Sequence, residues 1–236
     1  FLKFYKSVRS KGIKPIAGAE INHVRDSSSH NEHANLTLIA KNHLGYKNLI
    51  KLISKSQIVG KTSGIPVIET EWLAEHSDGL IALSGGFRGH IGKAVLDTNH
   101  DLFLKRIKYF QKIFKEDFVL EISRVNRPQE DIYNDYILSK AGELGLPVVA
   151  SNEVRFIDKE DYEAHETRVC IQKGEVLSDA RRTRSYFEDQ YFLSPEEMYE
   201  KFKDIPEVLS NAYELGKKCN LEIETCLLYT SPSPRD

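Results

Sequence analysis

The chain has 236 residues, of which 40% are hydrophobic and 29% are charged, as in ordinary globular proteins. This length allows one large domain or two small ones, with a substantial core. Lys and Arg number 33 against 35 Asp and Glu, which gives a formal net charge of −2. The near-neutral balance excludes a generally basic nucleic-acid binder and an acidic tail protein.

Neither export nor membrane insertion is predicted. No stretch approaches the roughly 18 apolar residues of a membrane span, and no cationic, apolar leader opens the sequence. The only Met is Met198 and the first residues are already helical in pattern, so we expect a fragment. Cys170, Cys219 and Cys226 include no CxxC pair. This usage predicts a reducing, cytoplasmic location, with neither a disulfide framework nor a thiolate metal site.

The first part of the chain alternates between helical and strand patterns. Residues 2–11 predict a helix, and the breaker-initiated stretch 14–20 predicts a short strand. The polar residues 24–34 predict a loop, and 35–40 (NLTLIA) predict a strand. The apolar stripe that follows Gly45 predicts a long helix.

The alternation continues toward residue 172. Helical patterns cover 70–76, 90–97, 101–115, 129–144 and 159–172, and strand patterns cover 79–84, 118–122 and 147–151. Thr70 is a candidate N-cap, and Gly145 is predicted to end its helix. Five strands that alternate with helices predict an α/β fold of parallel units, either a barrel or a doubly wound sheet.

The pattern changes after residue 174. Ser194, Pro195 and Glu197 have the spacing of a capping box with Pro at the first helical position, which predicts a helix start. A last helix is predicted from about residue 204 to Cys219. Residues 225–236 (TCLLYTSPSPRD) lack periodicity. We therefore predict one domain over 1–224, followed by a disordered or non-native tail.

Carboxylates occur at or near the ends of several predicted strands, at Glu20, Glu121 and Glu153. In a parallel β/α fold such ends meet at one rim. A cluster of carboxylates there could bind a hard cation or act in acid–base catalysis. The other interpretation, which we favour, is that strand ends are polar because they meet solvent.

Histidines do not form a recognisable metal motif. The eight are His23, His30, His33, His43, His76, His90, His100 and His165. His30 and His33 have i, i+3 spacing, but they lie in a serine-rich segment without a third ligand nearby. The sequence also lacks HExxH, a phosphate-binding loop and a GxSxG elbow, so the common catalytic motifs are absent.

A basic and aromatic cluster is formed by Arg181, Arg182 and Arg184 with Tyr186 and Phe187. Such side chains can grip a phosphate backbone or stack on a base, which makes the arginines candidate nucleic-acid contacts. The alternative is a solvated loop, which we favour because the overall charge provides no attraction for nucleic acid.

Six segments in chain order resemble the PHP (polymerase and histidinol phosphatase) domain of bacterial replicative polymerases, the DNA polymerase III alpha family. They are residues 4–20, 36–54, 79–86, 120–128, 145–174 and 191–223, and they include LIAKNHLGYKNLIKLIS (38–54) and NEVRFIDKEDYEAHE (152–166). The resemblance extends from residue 1 to about 224 and is similar to the proteobacterial branch.

The resemblance implies a seven-stranded, TIM-like β/α barrel that is truncated at its N-terminus. In the family, HxH and DH motifs lie on preceding strands, and the polymerase palm with its aspartates lies downstream. The parent is then a DNA-directed DNA polymerase of chromosomal replication that extends primed DNA from deoxynucleoside triphosphates with Mg²⁺. Its implied partners are its own palm and thumb and the proofreading exonuclease subunit. No catalytic residue is expected in this segment.

Metal-binding members of the family carry a ligand ring that is poorly kept here. Its glutamate is present as Glu20, while the other positions are Asn35, Gly86, Val125, Glu153 and Arg155. Imidazole and thiolate ligands are thus replaced by groups that do not coordinate metal, or by a guanidinium that repels cations. We therefore expect a vestigial, metal-free rim in which Arg155 pairs with Glu153 or Glu20.

Two other functions stay open. A free-standing, metal-dependent phosphoesterase of the same superfamily would need the HxH start and a kept DxH end, and the second is absent here. A non-enzymatic binding module would use the arginines of residues 181–184.

Overall fold

The fold is described by a computed structural model that covers residues 1–24, 33–62, 64–179 and 181–223. The predicted tail at 225–236 and His30 of the predicted histidine pair lie outside the described residues. The helices are α1 (Leu2–Ser10), α2 (His43–Ile58), α3 (Thr70–Glu75), α4 (His90–Leu96), α5 (His100–Phe114), α6 (Glu130–Leu144), α7 (Tyr162–Lys173), α8 (Pro195–Lys201) and α9 (Glu207–Lys218). In this part of the chain no helix is long and apolar enough to cross a membrane.

Six strands form the main sheet, in the order β5-β1-β2-β6-β7-β8. They are β1 (Gly18–Val24), β2 (Ala34–Ala40), β5 (Ile68–Glu69), β6 (Leu80–Leu83), β7 (Phe118–Ser123) and β8 (Val148–Ser151). Two-residue strands β3 (Lys61–Thr62) and β4 (Ile65–Pro66) make a separate hairpin. The predicted α/β class is confirmed. In the described residues the sheet is open, with β5 and β8 at its edges.

The prediction of parallel strands throughout is wrong for β2, which is antiparallel to both β1 and β6. Only residues 25–33 connect β1 to β2. A parallel crossover needs about a dozen residues or more, so a connection this short favours an antiparallel pair. The pairs β1–β5, β6–β7 and β7–β8 are parallel, as predicted for β/α units.

The two faces of the sheet are buried differently. One face carries side chains such as Leu38 and Phe118, which form the main core with α2, α4, α5 and α6. The other face carries Ile81, Val119 and Val149, which are covered by Cys219 and the adjoining side chains of α9. Further along this second face the side chains become polar, and this polar end contains the candidate site.

Local signals at the helix ends agree with the sequence in most places. Ser194 and Glu197 form the predicted capping box at the start of α8. Gly145 ends α6 in the left-handed conformation, at φ +62°. Thr70 is not the N-cap of α3, because it is the first helical residue and its hydroxyl donates to the carbonyl of Val24 at 3.2 Å. That contact holds the start of α3 against the end of β1.

Candidate functional site

A small cavity lies at the polar end of the second face. Its volume is about 20 Å³, room for about one water molecule. It is lined by Glu20, Asn35, Thr37, Gly85, Arg88, Glu121 and Glu153. Strands β1, β2 and β7 and the segments that follow β6 and β8 therefore bring three predicted carboxylates together.

The carboxylate of Glu20 has two partners, one on each oxygen. The amide of Asn35 donates to Oε1 at 2.8 Å, and the guanidinium of Arg155 donates to Oε2 at 3.3 Å. The antiparallel register sets Glu20 opposite Thr37, two residues from Asn35 on the same face of β2, which explains how the amide reaches it. Asn35 and Arg155, two of the predicted vestigial positions, thus bind the one glutamate that matches the family ring.

Glu153 is paired with Arg127 and not with Arg155. The Arg127 guanidinium donates to both carboxylate oxygens, at 3.0 and 2.7 Å. Burial by itself raises the pKa of Glu153, but the hydrogen bonds and charge of Arg127, together with the charges of Arg88 and Arg155, outweigh burial, so the pKa lies below its ordinary value. The predicted pairing of Arg155 is therefore confirmed for Glu20 alone.

Arg127 lies against two aromatic rings. Its guanidinium carbon lies 4.9 Å from the ring centroid of Phe87 and 5.6 Å from that of Phe187. The side chain is only 6% exposed. A buried guanidinium that contacts two rings and donates to both oxygens of a carboxylate has little freedom to release that carboxylate to another ligand.

Glu121 is the most deeply buried carboxyl of the cavity. Burial raises its pKa to about 7, and the negative charges of Glu153 and Glu20 add to the shift. Gly86, which stands at the cysteine position of the family, faces this side chain: a Cβ on Gly86 would lie 3.9 Å from Cγ of Glu121. Part of the site therefore reduces its charge by retaining a proton near neutral pH.

Val125 lies outside the cavity lining and is buried. Its backbone N–H donates to Oε2 of Glu130 at 2.7 Å, and the hydroxyl of Ser123 donates to Oε1 at 2.9 Å. Burial raises the pKa of Glu130. This carboxylate holds the turn that follows β7, and through that turn it sets the position of Arg127.

Residues 185–191, here called the strap, run beside the site and bond to residues of it. Gln190 is completely buried, and its amide donates to the backbone carbonyl of Glu153 at 3.1 Å. The backbone N–H of Arg155 donates to the carbonyl of Gln190 at 2.8 Å, and Arg88 donates to the carbonyl of Ser185 at 2.6 Å. These bonds fasten the strap to both sides of the site.

The predicted basic and aromatic cluster does not assemble. Arg182 is almost fully buried and donates to Glu166 at 2.5 Å, so it is unavailable to a phosphate. Arg181 is exposed and pairs with Asp179 at 3.0 Å, and Arg184 is also exposed. The aromatic residues turn the other way: Tyr186 lies under Arg88 and Arg155, and Phe187 lies under Arg127.

The donor set does not fit a transition metal. No histidine or cysteine lines the cavity, and no group of three or more His, Cys, Asp or Glu in the described ranges is arranged to hold a metal ion. Both oxygens of Glu153 accept from Arg127, and Arg155 places a second positive charge against Glu20. Softer metals need imidazole or thiolate ligands, and guanidinium groups repel any cation.

Sequence patterns do not reveal the roles of Arg127 and Gln190. Both lie in irregular segments, where neither hydrophobic period nor motif spacing predicts the direction of a side chain. The only signal is the resemblance, which includes Arg127 in the matched stretch 120–128 without indicating its partner.

Comparison with known proteins agrees with this architecture. A family model described as PHP domain matches residues 1–125. DNA polymerase III subunit alpha is 44% identical over 222 residues in Vibrio cholerae, 43% over 222 in Escherichia coli K12 and 41% over 223 in Pseudomonas aeruginosa. Each match covers 94% of this chain and 19% of the relative, so the chain spans about a fifth of the length of these curated relatives. Because the family model covers more than half of its residues, the chain belongs to the PHP domain family.

Proposed function

We propose that this chain is the PHP segment of a DNA polymerase III alpha subunit and that, within that polypeptide, it is a structural domain without metal-dependent activity. The relatives that match it along nearly all its length are alpha subunits of that polymerase. The complete polypeptide would extend primed DNA from deoxynucleoside triphosphates with Mg²⁺. Nucleotidyl transfer would occur in a palm outside these 236 residues.

The observation that carries the structural role is the double donation from Arg127 to Glu153. Both oxygens of this carboxylate accept hydrogen bonds from a buried guanidinium, so the two groups form a structural ion pair and the carboxylate does not act as a metal ligand. Arg155 and Asn35 satisfy Glu20 in the same way. The rim of the family's metal ring thus becomes a set of contacts that hold β1, β8 and the strap together.

A rigid rim suits a domain that supports others. In this proposal the segment packs against the palm and thumb of its own polypeptide and contacts the proofreading exonuclease subunit, in the cytoplasm. With the strands that the family places before residue 1, the open sheet would become a closed barrel. These partners and the closure come from the family resemblance.

The alternative function is a free-standing, metal-dependent phosphoesterase. It would require at least two metal ions held by imidazoles and carboxylates around the cavity. Among the described residues, Glu20 and Glu153 are already paired with guanidinium groups, and no imidazole lines the cavity. Ligands from a preceding segment would still meet Arg155 and Arg127 at the cavity, so this function is the weaker proposal.

Metal counting tests the structural role. The polypeptide that contains this chain is dialysed with Zn²⁺ or Mn²⁺ beside a Glu20→Gln, Glu153→Gln variant, and bound metal is measured by mass spectrometry. We expect the same metal content in both proteins, together with no metal-stimulated hydrolysis of a phosphodiester by either one. Metal that binds the parent at one ion per chain and is lost in the variant would contradict the proposal. Primer extension by the parent polypeptide tests the polymerase assignment separately.

A further inference from the structure

Two large apolar side chains stand together on the surface beside the strap. Ile157 is 69% exposed and Phe192 is 71% exposed. The backbone N–H of Phe192 donates to the carbonyl of Ile157 at 3.0 Å, and a parallel bridge joins Phe156 to Tyr191. Ile157 and Phe192, here called the 157–192 patch, are therefore neighbours on two paired, extended segments.

The backbone under the patch is held firmly. The amide of Asn152 donates to the carbonyl of Tyr191 at 2.6 Å, and the N–H of Arg155 donates to the carbonyl of Gln190. The ring of Phe156, next to Ile157, is buried against Tyr162 and His165. The exposure of Ile157 and Phe192 is thus a property of a fixed surface. Contiguous exposed apolar surface of this kind marks interaction sites.

An open groove of about 950 Å³ adjoins the patch. Ile157, Phe192 and the side chains of Leu193, Pro195 and Met198 provide its apolar surface. Three carboxylates and one ammonium group also line it, from Asp158, Glu160, Glu197 and Lys159. An apolar surface with an excess of negative charge is complementary to an apolar segment flanked by Lys or Arg.

We propose that the 157–192 patch and its groove bind an apolar segment, flanked by basic residues, from a part of the same polypeptide outside these 236 residues. This inference rests on the proposed function, because the relatives extend well beyond the matched region. The chain corresponds to 19% of each relative, so about four-fifths of such a polypeptide lies outside it and can supply the segment. An apolar surface on a fixed backbone, with complementary charge, provides a place for it.

Cysteine labelling in the full polypeptide tests the proposal. Phe192→Cys and, separately, Ile157→Cys are alkylated with a maleimide under native conditions and in denaturant, and each site is read by peptide mass spectrometry. Tyr213→Cys, on α9 and 68% exposed, is the matched control. We expect the native-to-denatured rate ratio at 192 and 157 to be at least about tenfold below that at 213, which is a difference of about 1.4 kcal/mol in local opening.

Rates at 192 and 157 that equal the control would overturn the inference, whether or not a second protein later protects them. Two positions are used so that a misfolded variant at one of them does not prevent the test. Primer extension by each variant shows whether the polypeptide is intact. A variant that extends primers but is alkylated at the control rate refutes the docking surface alone. Absence of primer extension by the unmodified polypeptide refutes the proposed function.

Discussion

The guanidinium of Arg155 lies 3.3 Å from the carboxylate of Glu20, although the two residues are 135 positions apart in the sequence. Arg155 follows the edge strand β8, and Glu20 lies on β1, near the opposite edge of the same open sheet. The contact joins two parts of the sheet that are not neighbours in the strand order. An ion pair thus links β1 to the segment that follows β8, where no strand pairing does so.

Loss of this pair is predicted to cost little stability. Both side chains are partly exposed, so water and salt screen the attraction, and Asn35 still satisfies Glu20. We expect Arg155→Met to lower the free energy of unfolding by less than about 1 kcal/mol. Urea titration measures it. A decrease in the free energy of unfolding several times larger would mean that Arg155 stabilises the fold more than its contacts indicate.

Removal of Arg127 is predicted to be far more damaging. Arg127→Met leaves the buried carboxylate of Glu153 without its partner, and breaking a buried pair from one side costs about 3–5 kcal/mol. The double variant Arg127→Met, Glu153→Gln removes the stranded charge, so it should be more stable than Arg127→Met alone. The coupling is read from a urea double-mutant cycle, and additive losses would contradict the paired geometry.

Stability should fall as pH rises through the range in which Glu121 ionises. Burial raises the pKa of Glu121 to about 7 in the folded chain from an ordinary value of 4.5. Between these values the folded state binds more protons than the unfolded state, so the free energy of unfolding falls with rising pH, by roughly 3 kcal/mol in all. Glu121→Gln should remove this contribution. Urea midpoints for both proteins from pH 4.5 to 8 test it, and parallel curves would refute it.

Two glycines in helices should respond oppositely to the same substitution. A Cβ on Gly45, in the first turn of α2, would lie 1.9 Å from the carbonyl oxygen of Gly79, whereas a Cβ on Gly142 in α6 would have no neighbour within 4 Å. We expect Gly45→Ala to destabilise the chain by at least about 2 kcal/mol, because backbone must move. Gly142→Ala should stabilise it by about 0.5–1 kcal/mol. Thermal unfolding of the two variants gives the comparison.

Replacement of Arg181 is predicted to leave DNA binding unchanged. Arg181 is already neutralised by Asp179, so it presents no free charge. We expect Arg181→Ala to leave the salt dependence of primed-DNA binding by the full polypeptide unchanged. A salt slope that falls by about one would instead identify Arg181 as a phosphate contact. Arg182 is kept intact in this test because its burial would confuse stability with binding.

Much of the secondary structure can be read from local pattern. The apolar stripe of α2, the capping box at Ser194 and the glycine stop at Gly145 each depend on residues within a few positions of one another. Glu20 and Glu153 line one cavity, as predicted, although Glu20 is the third residue of β1 and does not lie at the end of a strand. The alternation of helical and strand patterns correctly predicted an α/β fold, whereas the closed barrel implied by the family resemblance is not seen in the described residues.

The direction of the strands and the partners of the charged side chains could be read only from the folded chain. Nothing in the pattern of residues 34–40 distinguishes a parallel from an antiparallel strand. The short connection between β1 and β2 favours an antiparallel pair, but only once the two strands are known to be neighbours in the sheet. Arg127, rather than Arg155, pairs with Glu153 because Phe187 of the strap and Phe87 hold the Arg127 guanidinium in place. Helix and strand propensities act over a few residues, whereas an ion pair between distant segments depends on where every intervening element leaves its side chains.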